Sequence, residues 1–254
     1  MQEPVKDKAD SGSSGRMGSH TAMNGTQIKL IALTLMFLDH MGAIFLPSGS
    51  TAWIIARTLR RLSFPLYAYL ITQGIKHTHD IRAYAMRLLV YAFLSEIPFD
   101  LAFFGHIPVY AHQNVFFTLT LSVTAFLVFQ EKCYVKDGWA LATCIAFAGI
   151  LAQFLHADYG IAGVSLIGAL VCADGNRCFM MIAVLCFLFA KSGWIAQGFT
   201  ERAALSMGIT AVWIWITGMD NGSPGDRKWR KWFYTAYPAH LAALWLLREV
   251  ISGI

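Results

Sequence analysis

Long apolar runs recur along nearly the whole chain, and they limit the possible folds more than any other feature. They lie near residues 28–46, 52–75, 84–104, 114–130, 138–155, 160–174, 178–190, 203–219 and 233–251. An apolar stretch of about 18 residues or more is typical of a membrane-spanning helix. Only 14% of the residues are charged, compared with about 25% in soluble domains. The sequence therefore predicts an all-α integral membrane protein, a polytopic bundle of about eight to ten transmembrane helices.

The polar N-terminal segment and the cysteines bear on the domain organisation. Residues 1–25 are rich in Gly and Ser and lack the apolar core of a signal peptide. We expect a disordered tail or linker there, followed by a single transmembrane domain over residues 26–254. The five cysteines form no CxxC pair, which favours neither a disulfide framework nor a metal site. The net charge of +5 lies largely in loops, so nucleic-acid binding is not indicated.

Lysine and arginine residues in the connections predict the orientation, because cytoplasmic loops carry an excess of both. The second, fourth, sixth and eighth connections are basic, whereas GHIPVYAHQ in the third and HADY in the fifth contain no Lys or Arg. Lys191 and Arg202 in the seventh connection run against this trend. We therefore expect the N-terminus and the even-numbered connections to be cytoplasmic.

Ionisable residues inside the apolar runs are the candidate functional groups, since charges within a membrane are costly and usually functional. Asp39 and His40 lie in the first run, and Glu96 lies in the third. The second run begins with three arginines on one helical face, namely Arg57, Arg60 and Arg61. An alternative for these arginines is an interfacial cluster whose long side chains reach the membrane surface.

Depth along the helices brings most of these residues to one level. His40 lies roughly 9 Å, Arg61 roughly 13 Å and Glu96 roughly 12 Å from the outer ends of their runs. Asn114 opens the fourth run from the same side, and Asp158 lies in the fifth, outer connection. We therefore expect a polar cavity in the outer half of the bundle.

His40 is the candidate catalytic residue, because histidine is suited to proton transfer near neutral pH. Asp39 need not contact it, since neighbours on a helix point about 100° apart; it can pair with an arginine or with His240. His240 lies roughly 10 Å from the inner end of the last run, with Tyr237 near the same face. The alternative for His240 is a histidine that only hydrogen-bonds between helices.

No HExxH, GxSxG, Walker or GxGxxG motif is present in the sequence. The intramembrane Asp, His and Arg residues are consistent with three classes of protein. One is a membrane-embedded acyl-transfer enzyme, and the second is a proton-coupled secondary transporter or permease. The third is a membrane assembly factor that carries out no reaction and does not require His40.

A resemblance to a known family favours the enzyme. The segments that carry it are, in order, KLIALTLMFLDHMG, RRLSFPLYAYLITQGIKHT, RLLVYAFLSEIPFDLAF, QNVFFTLTL, ADYGIAGV and NGSPGDRKWRKWFYTAYPAHL. Together they resemble the TraX family over about residues 27–245. TraX proteins are similar to polytopic acyltransferases, and the founding member of the family is implicated in acetylating the N-terminal amine of a conjugative pilin.

The resemblance implies a multi-pass protein of the bacterial inner membrane that uses acetyl-CoA as co-substrate and no metal. The acceptor is then an amine or hydroxyl of a peptide N-terminus or saccharide at the membrane, and oligomerisation is left open. We assign catalytic roles to His40, Asp39, Glu96 and His240. We assign acetyl-CoA binding to Arg57, Arg60, Arg61, Asn114 and Tyr237. His40 is expected to act as general base or as nucleophile.

Overall fold

The computed structural model describes residues 22–108, 112–133, 137–192, 198–223 and 227–253. Within these ranges the chain forms nine α-helices. They are α1 (Gly25–Phe45), α2 (Thr51–His77), α3 (Ile81–Phe104), α4 (Val115–Lys132), α5 (Gly138–Phe154), α6 (Gly160–Cys172), α7 (Arg177–Lys191), α8 (Phe199–Gly218) and α9 (Arg230–Ser252). A 3₁₀ turn, Arg227–Trp229, leads into α9.

The predicted all-α architecture is confirmed, and each apolar run of the sequence coincides with one of the helices. Local chemistry explains where many of them begin. A side-chain oxygen at the N-cap accepts a hydrogen bond from a backbone N–H that has no partner inside the helix. Such caps precede six helices: Asn24, Ser50, Asp80, Asn114, Asp137 and Asn176.

The membrane character of the helices is less uniform than the sequence suggests. Of the described helices, α1 and α4 are both long and apolar enough to cross a membrane, while α5 and α6 are apolar but shorter. Polar residues such as Arg60 lower the hydropathy of α2, and Glu96 and Asp100 do the same for α3. The predicted set of eight to ten transmembrane helices therefore stays a prediction.

Helix α2 is the centre of the bundle. It packs along α1 and also contacts α4, α6 and α8. Its segment from Leu62 to Leu66 is buried at every position. Helix α3 lies between α4 and α9, and α5 packs between α4 and α6. This order brings α1, α2, α3 and α9 around one interior space.

The first described residues are fastened to the connection between α8 and α9, so α1 and α9 begin at the same end of the bundle. The Met23 N–H donates to the Met219 carbonyl at 2.7 Å, and the Asn221 N–H donates to the Met23 carbonyl at 2.9 Å. The Tyr69 hydroxyl donates to the Asp220 carboxylate at 2.7 Å and ties α2 to the same connection. The rest of the predicted N-terminal tail, residues 1–21, lies outside the described residues.

Helices α1 and α2 approach most closely at Gly42. A Cβ atom added there would lie 2.3 Å from the Cβ of Ala56, so Gly42→Ala forces the two helices apart. We expect this substitution to lower the free energy of unfolding by about 1–3 kcal/mol, measured by denaturant unfolding of the purified protein. The double variant Gly42→Ala/Ala56→Gly should recover part of the loss.

Gly208 in α8 provides the matched control for this prediction. Among the described residues, no atom lies within 4 Å of a Cβ added at Gly208. Gly208→Ala should therefore leave stability unchanged or raise it by up to about 1 kcal/mol, because alanine is the better helix former. Equal losses from both substitutions would show that the α1–α2 contact is not the cause.

Candidate functional site

An open cavity of about 200 Å³ lies between α1, α2, α3 and α9. We call it the polar cavity because acidic, basic, histidine and tyrosine side chains line it, among them Asp39, His40, Arg57, Arg60, Asp158 and Tyr159. Phenylalanines of α3, including Phe99 and Phe103, form the apolar part of the wall. The predicted polar cavity is therefore present, although its depth in a membrane stays a prediction.

Asp39 forms an ion pair with an arginine and does not contact His40 through its carboxylate. The Arg57 Nη1 donates to Asp39 Oδ1 at 2.8 Å, and the Asp39 side chain is almost fully buried. The closest approach of the two helices is next to this ion pair, since Gly42 lies one turn after Asp39 and Ala56 directly precedes Arg57. Of the alternatives that the sequence left open for Asp39, the structure shows the pairing with an arginine.

Arg60, one turn after Arg57 on α2, lies next to Asp158 and Tyr159. Its guanidinium lies 3.9 Å from the Asp158 carboxylate and 5.2 Å from the centre of the Tyr159 ring. Tyr159 has φ of +66°, a region that non-glycine residues adopt at an energetic cost and that is often found at functional sites. Burial raises the pKa of the Tyr159 phenol, so the hydroxyl keeps its proton at neutral pH and can donate a hydrogen bond.

His40 and His240 form a hydrogen-bonded pair between α1 and α9. The His40 Nδ1 lies 2.8 Å from the His240 Nε2, and the two rings are nearly parallel. The His240 Nδ1 lies 2.9 Å from the Ala236 carbonyl oxygen. The edges of Phe103 and Tyr237 pack against the His40 ring.

A second depression, which we call the α1/α9 groove, lies on the other side of this histidine pair. It has a volume of about 480 Å³ and is mostly apolar. Its walls come from Leu33, Thr34 and Phe37 of α1, and from Trp232, Thr235, Ala236, Ala239 and His240 of α9. Apart from His240 itself, these residues precede the histidines in both helices, so the groove extends toward the end where α1 and α9 begin. His40 lines the polar cavity and His240 lines the groove, which makes the pair the partition between them.

Five of the nine residues assigned from the sequence line the polar cavity. They are Asp39, His40, Arg57, Arg60 and Tyr237. His240 joins them through its contact with His40. Tyr159 matches a polar position of ADYGIAGV, one of the segments that carry the family resemblance, but the sequence assigns it no role in the site.

Glu96, Asn114 and Arg61 are not brought to the cavity wall. The Asn114 side chain is fully buried and donates to the Glu96 carboxylate and to the Ala92 carbonyl. This contact joins α3 to the start of α4. The Arg61 Nη1 is buried and has no hydrogen-bond partner among the described residues. The functional roles assigned to these three residues stay predictions.

Comparison with known proteins gives one consistent result. The family model described as TraX protein matches residues 24–248. Over 244 residues the chain is 27% identical to the probable fimbrial assembly protein FimC, serogroup H1, of Dichelobacter nodosus, covering 90% of this chain and 97% of that protein. Over 229 residues it is 25% identical to Protein TraX of Escherichia coli strain K12, covering 87% and 85%. No solved structure matches the chain.

Proposed function

Because this chain belongs to the TraX family, we propose that it is a multi-pass inner-membrane acetyltransferase that serves pilus or fimbrial assembly. It moves an acetyl group from acetyl-CoA to an amine or hydroxyl of an acceptor presented at the membrane, with a peptide N-terminus as the favoured acceptor. The observation that carries the proposal is the hydrogen-bonded His40–His240 pair, which separates two openings that can admit two different substrates.

The surface of the bundle supports insertion in a membrane. Large apolar side chains that are more than half exposed project from six of the described helices: Ile55, Met86, Phe93, Phe147, Ile182, Trp215 and Val250. Soluble monomers rarely expose continuous apolar surface on this scale. In the interior, the charges of Asp39 and Arg57 pair with each other. Interior pairing is how charged residues within a membrane are usually accommodated.

The α1/α9 groove suits the donor. Its volume of about 480 Å³ lies in the range of small-molecule sites, and its threonines give polar contacts to an amide-containing arm. The groove leads toward the end of the bundle that carries Lys29, Lys228 and Lys231. These cations suit the phosphates of a nucleotide. The basic residues of the even-numbered connections predict that this end faces the cytoplasm. Acetyl-CoA is made in that compartment.

The polar cavity suits the acceptor and the developing negative charge, and the thioester end of the donor has to pass the histidine pair from the groove to reach this cavity. When bound, acetyl-CoA supplies a thioester whose carbonyl carbon is open to attack. Arg57, Arg60 and the Tyr159 hydroxyl line the cavity, and each can donate a hydrogen bond to an oxyanion. Donors held in place before the reaction are the largest single contribution to many acyl transfers.

His40 moves the proton in this reaction. As general base, it takes the proton from the acceptor amine while the amine nitrogen bonds to the carbonyl carbon. The carbon–sulfur bond then breaks, and His40 returns the proton to the leaving thiolate. The products are the acetylated acceptor and free CoA thiol. In the covalent alternative, His40 itself bonds to the acetyl carbon while the carbon–sulfur bond breaks and the thiolate leaves. The acceptor amine then takes the acetyl group from the ring nitrogen, and the proton that the amine loses goes to the thiolate.

The test uses the purified full chain in lipid nanodiscs with radiolabelled acetyl-CoA and a synthetic peptide that has a free N-terminus. The matched control is the same peptide with a formylated N-terminus. We expect CoA thiol release and label in the free peptide, and neither above background with the formylated one. Absence of thiol release, of labelled peptide and of labelled protein would reject the enzyme. Acetyl-CoA-independent, proton-driven solute uptake into proteoliposomes would instead support the transporter class.

A further inference from the structure

The hydrogen bonds of the His40–His240 pair determine which ring nitrogen of His40 carries a proton. We propose that His240 is a positioning residue that holds His40 in the tautomer with a proton on Nδ1 and a free lone pair on Nε2. This inference rests on the proposed acetyltransferase function for its catalytic meaning, but the tautomer itself follows from the contacts alone.

A contact within α9 locates the proton of His240. The His240 Nδ1 lies 2.9 Å from the Ala236 carbonyl oxygen. A carbonyl oxygen has no hydrogen and can only accept, so the His240 Nδ1 donates and carries the proton. A neutral imidazole has one N–H. The His240 Nε2 is therefore an acceptor.

The contact between the two rings then locates the proton of His40. The His240 Nε2 lies 2.8 Å from the His40 Nδ1. Since the His240 nitrogen accepts, the His40 Nδ1 must donate and holds the single proton of its ring. The His40 Nε2 is left with its lone pair, because the described hydrogen bond of this ring is made through Nδ1. This nitrogen is the one that either catalytic route requires.

Asp39 cannot perform this task, although it is the neighbour of His40 in the sequence. In a Ser-His-Asp triad a carboxylate orients the histidine and stabilises its protonated form. Here the Asp39 carboxylate accepts from Arg57, and a second histidine takes the orienting position. When the His40 Nε2 gains a proton, the positive charge is shared with His240 through the same hydrogen bond, and the Ala236 carbonyl stabilises it at the far end.

The surroundings keep the two rings in this arrangement. The ring centres of His40 and His240 are 5.0 Å apart with an angle of 11° between their planes. Phe103 and Tyr237 pack edge-on against His40, with ring centres 5.2 and 6.0 Å away. A 180° flip of the His40 ring would put Cδ2 in the place of Nδ1 and break the hydrogen bond to His240.

Two substitutions at position 240 separate hydrogen bonding from packing. His240→Gln keeps an acceptor, because the amide oxygen can take the hydrogen bond from the His40 Nδ1. His240→Phe fills the space of the ring but accepts nothing. We expect acetyl transfer by the Gln variant to stay within about tenfold of wild type, and kcat of the Phe variant to fall by roughly 10²–10⁴-fold, the usual contribution of a positioned base, with the KM for acetyl-CoA little changed. Equal activity of the Phe and Gln variants would overturn the proposal.

A spectroscopic measurement gives a result that does not depend on activity. In protein labelled with ¹⁵N-histidine, long-range proton–nitrogen correlation spectra report which ring nitrogen is protonated, and His40→Ala identifies the His40 signals. We expect His40 in the Nδ1–H form in wild type and in His240→Gln, and a shift toward the Nε2–H form in His240→Phe. An Nε2–H form of His40 in wild type would refute the tautomer assignment. The expected tautomer in a protein that transfers no acetyl group would support the assignment and reject the proposed function alone.

Discussion

His40→Ala is expected to lower the rate of acetyl transfer by roughly 10²–10⁴-fold, because it removes the ring that accepts the proton of the acceptor amine. The loss should appear in kcat, since the α1/α9 groove and the arginines of the polar cavity remain. The fold should survive, because the substitution removes one hydrogen bond to His240, which is worth about 1 kcal/mol of stability. Thiol release from acetyl-CoA with the free-N-terminus peptide is the measurement.

His77 supplies the matched control for this substitution. It is exposed at the end of α2 and contributes to neither the cavity nor the groove, so His77→Ala should keep wild-type activity. The same samples distinguish the two routes. Labelled acetyl on wild-type protein that hydroxylamine removes, and that His40→Ala lacks, indicates the covalent intermediate. A His40→Ala protein with activity within threefold of wild type would contradict the catalytic role.

Asp39→Ala is expected to lower the free energy of unfolding by about 3–5 kcal/mol, because it leaves the Arg57 charge in the interior without its partner. The two side chains lie 2.8 Å apart and are 3% and 17% exposed. Replacing both residues in Asp39→Leu/Arg57→Met removes both charges and should recover most of that loss, since paired apolar replacements of a buried ion pair are often neutral or stabilising. Denaturant unfolding of the single and double variants measures the difference.

The Arg82–Glu131 pair is the control for the buried pair. It joins α3 to α4 at the surface, with the Arg82 side chain 67% exposed. Glu131→Ala should cause a much smaller change than Asp39→Ala, because solvent screens exposed ion pairs. If the double variant Asp39→Leu/Arg57→Met is as unstable as Asp39→Ala, the uncompensated charge is not the origin of the loss.

The helices were predictable because their signals are local. An apolar run marks each helix. Side-chain caps such as Asn24 and Asp137 mark where six of the helices begin, so both signals come from residues in or next to the helix. The pairing of Asp39 was only partly predictable. The sequence allowed an arginine partner, but the choice of Arg57 depends on the contact between Gly42 and Ala56, two small residues that carry no signal of their own.

The contact between His40 and His240 could not be predicted from the sequence, since 200 positions separate the two residues. Counting residues from the predicted ends of their runs puts His40 nearer the outer end of the bundle and His240 nearer the inner end. Helix α9 begins at Arg230, three residues before the predicted start, so His240 lies deeper than expected, roughly 15 Å along its helix. The predicted depth of Glu96 also matches that of the cavity residues, but depth alone does not say in which direction a side chain points from the helix axis. The Glu96 side chain faces Asn114 at the start of α4.

The hydrogen bonds that fasten Met23 to Met219 and Asn221 give α1 and α9 a common starting point. The two helices then run side by side, and the two imidazoles meet at the positions that the residue count from this point determines. Each residue adds about 1.5 Å and 100°, so a change of a single residue in either count would turn one imidazole away from the other. The alignment of the reacting nitrogen thus depends on Met23 and its hydrogen-bond partners, far from the place where the chemistry is proposed to occur.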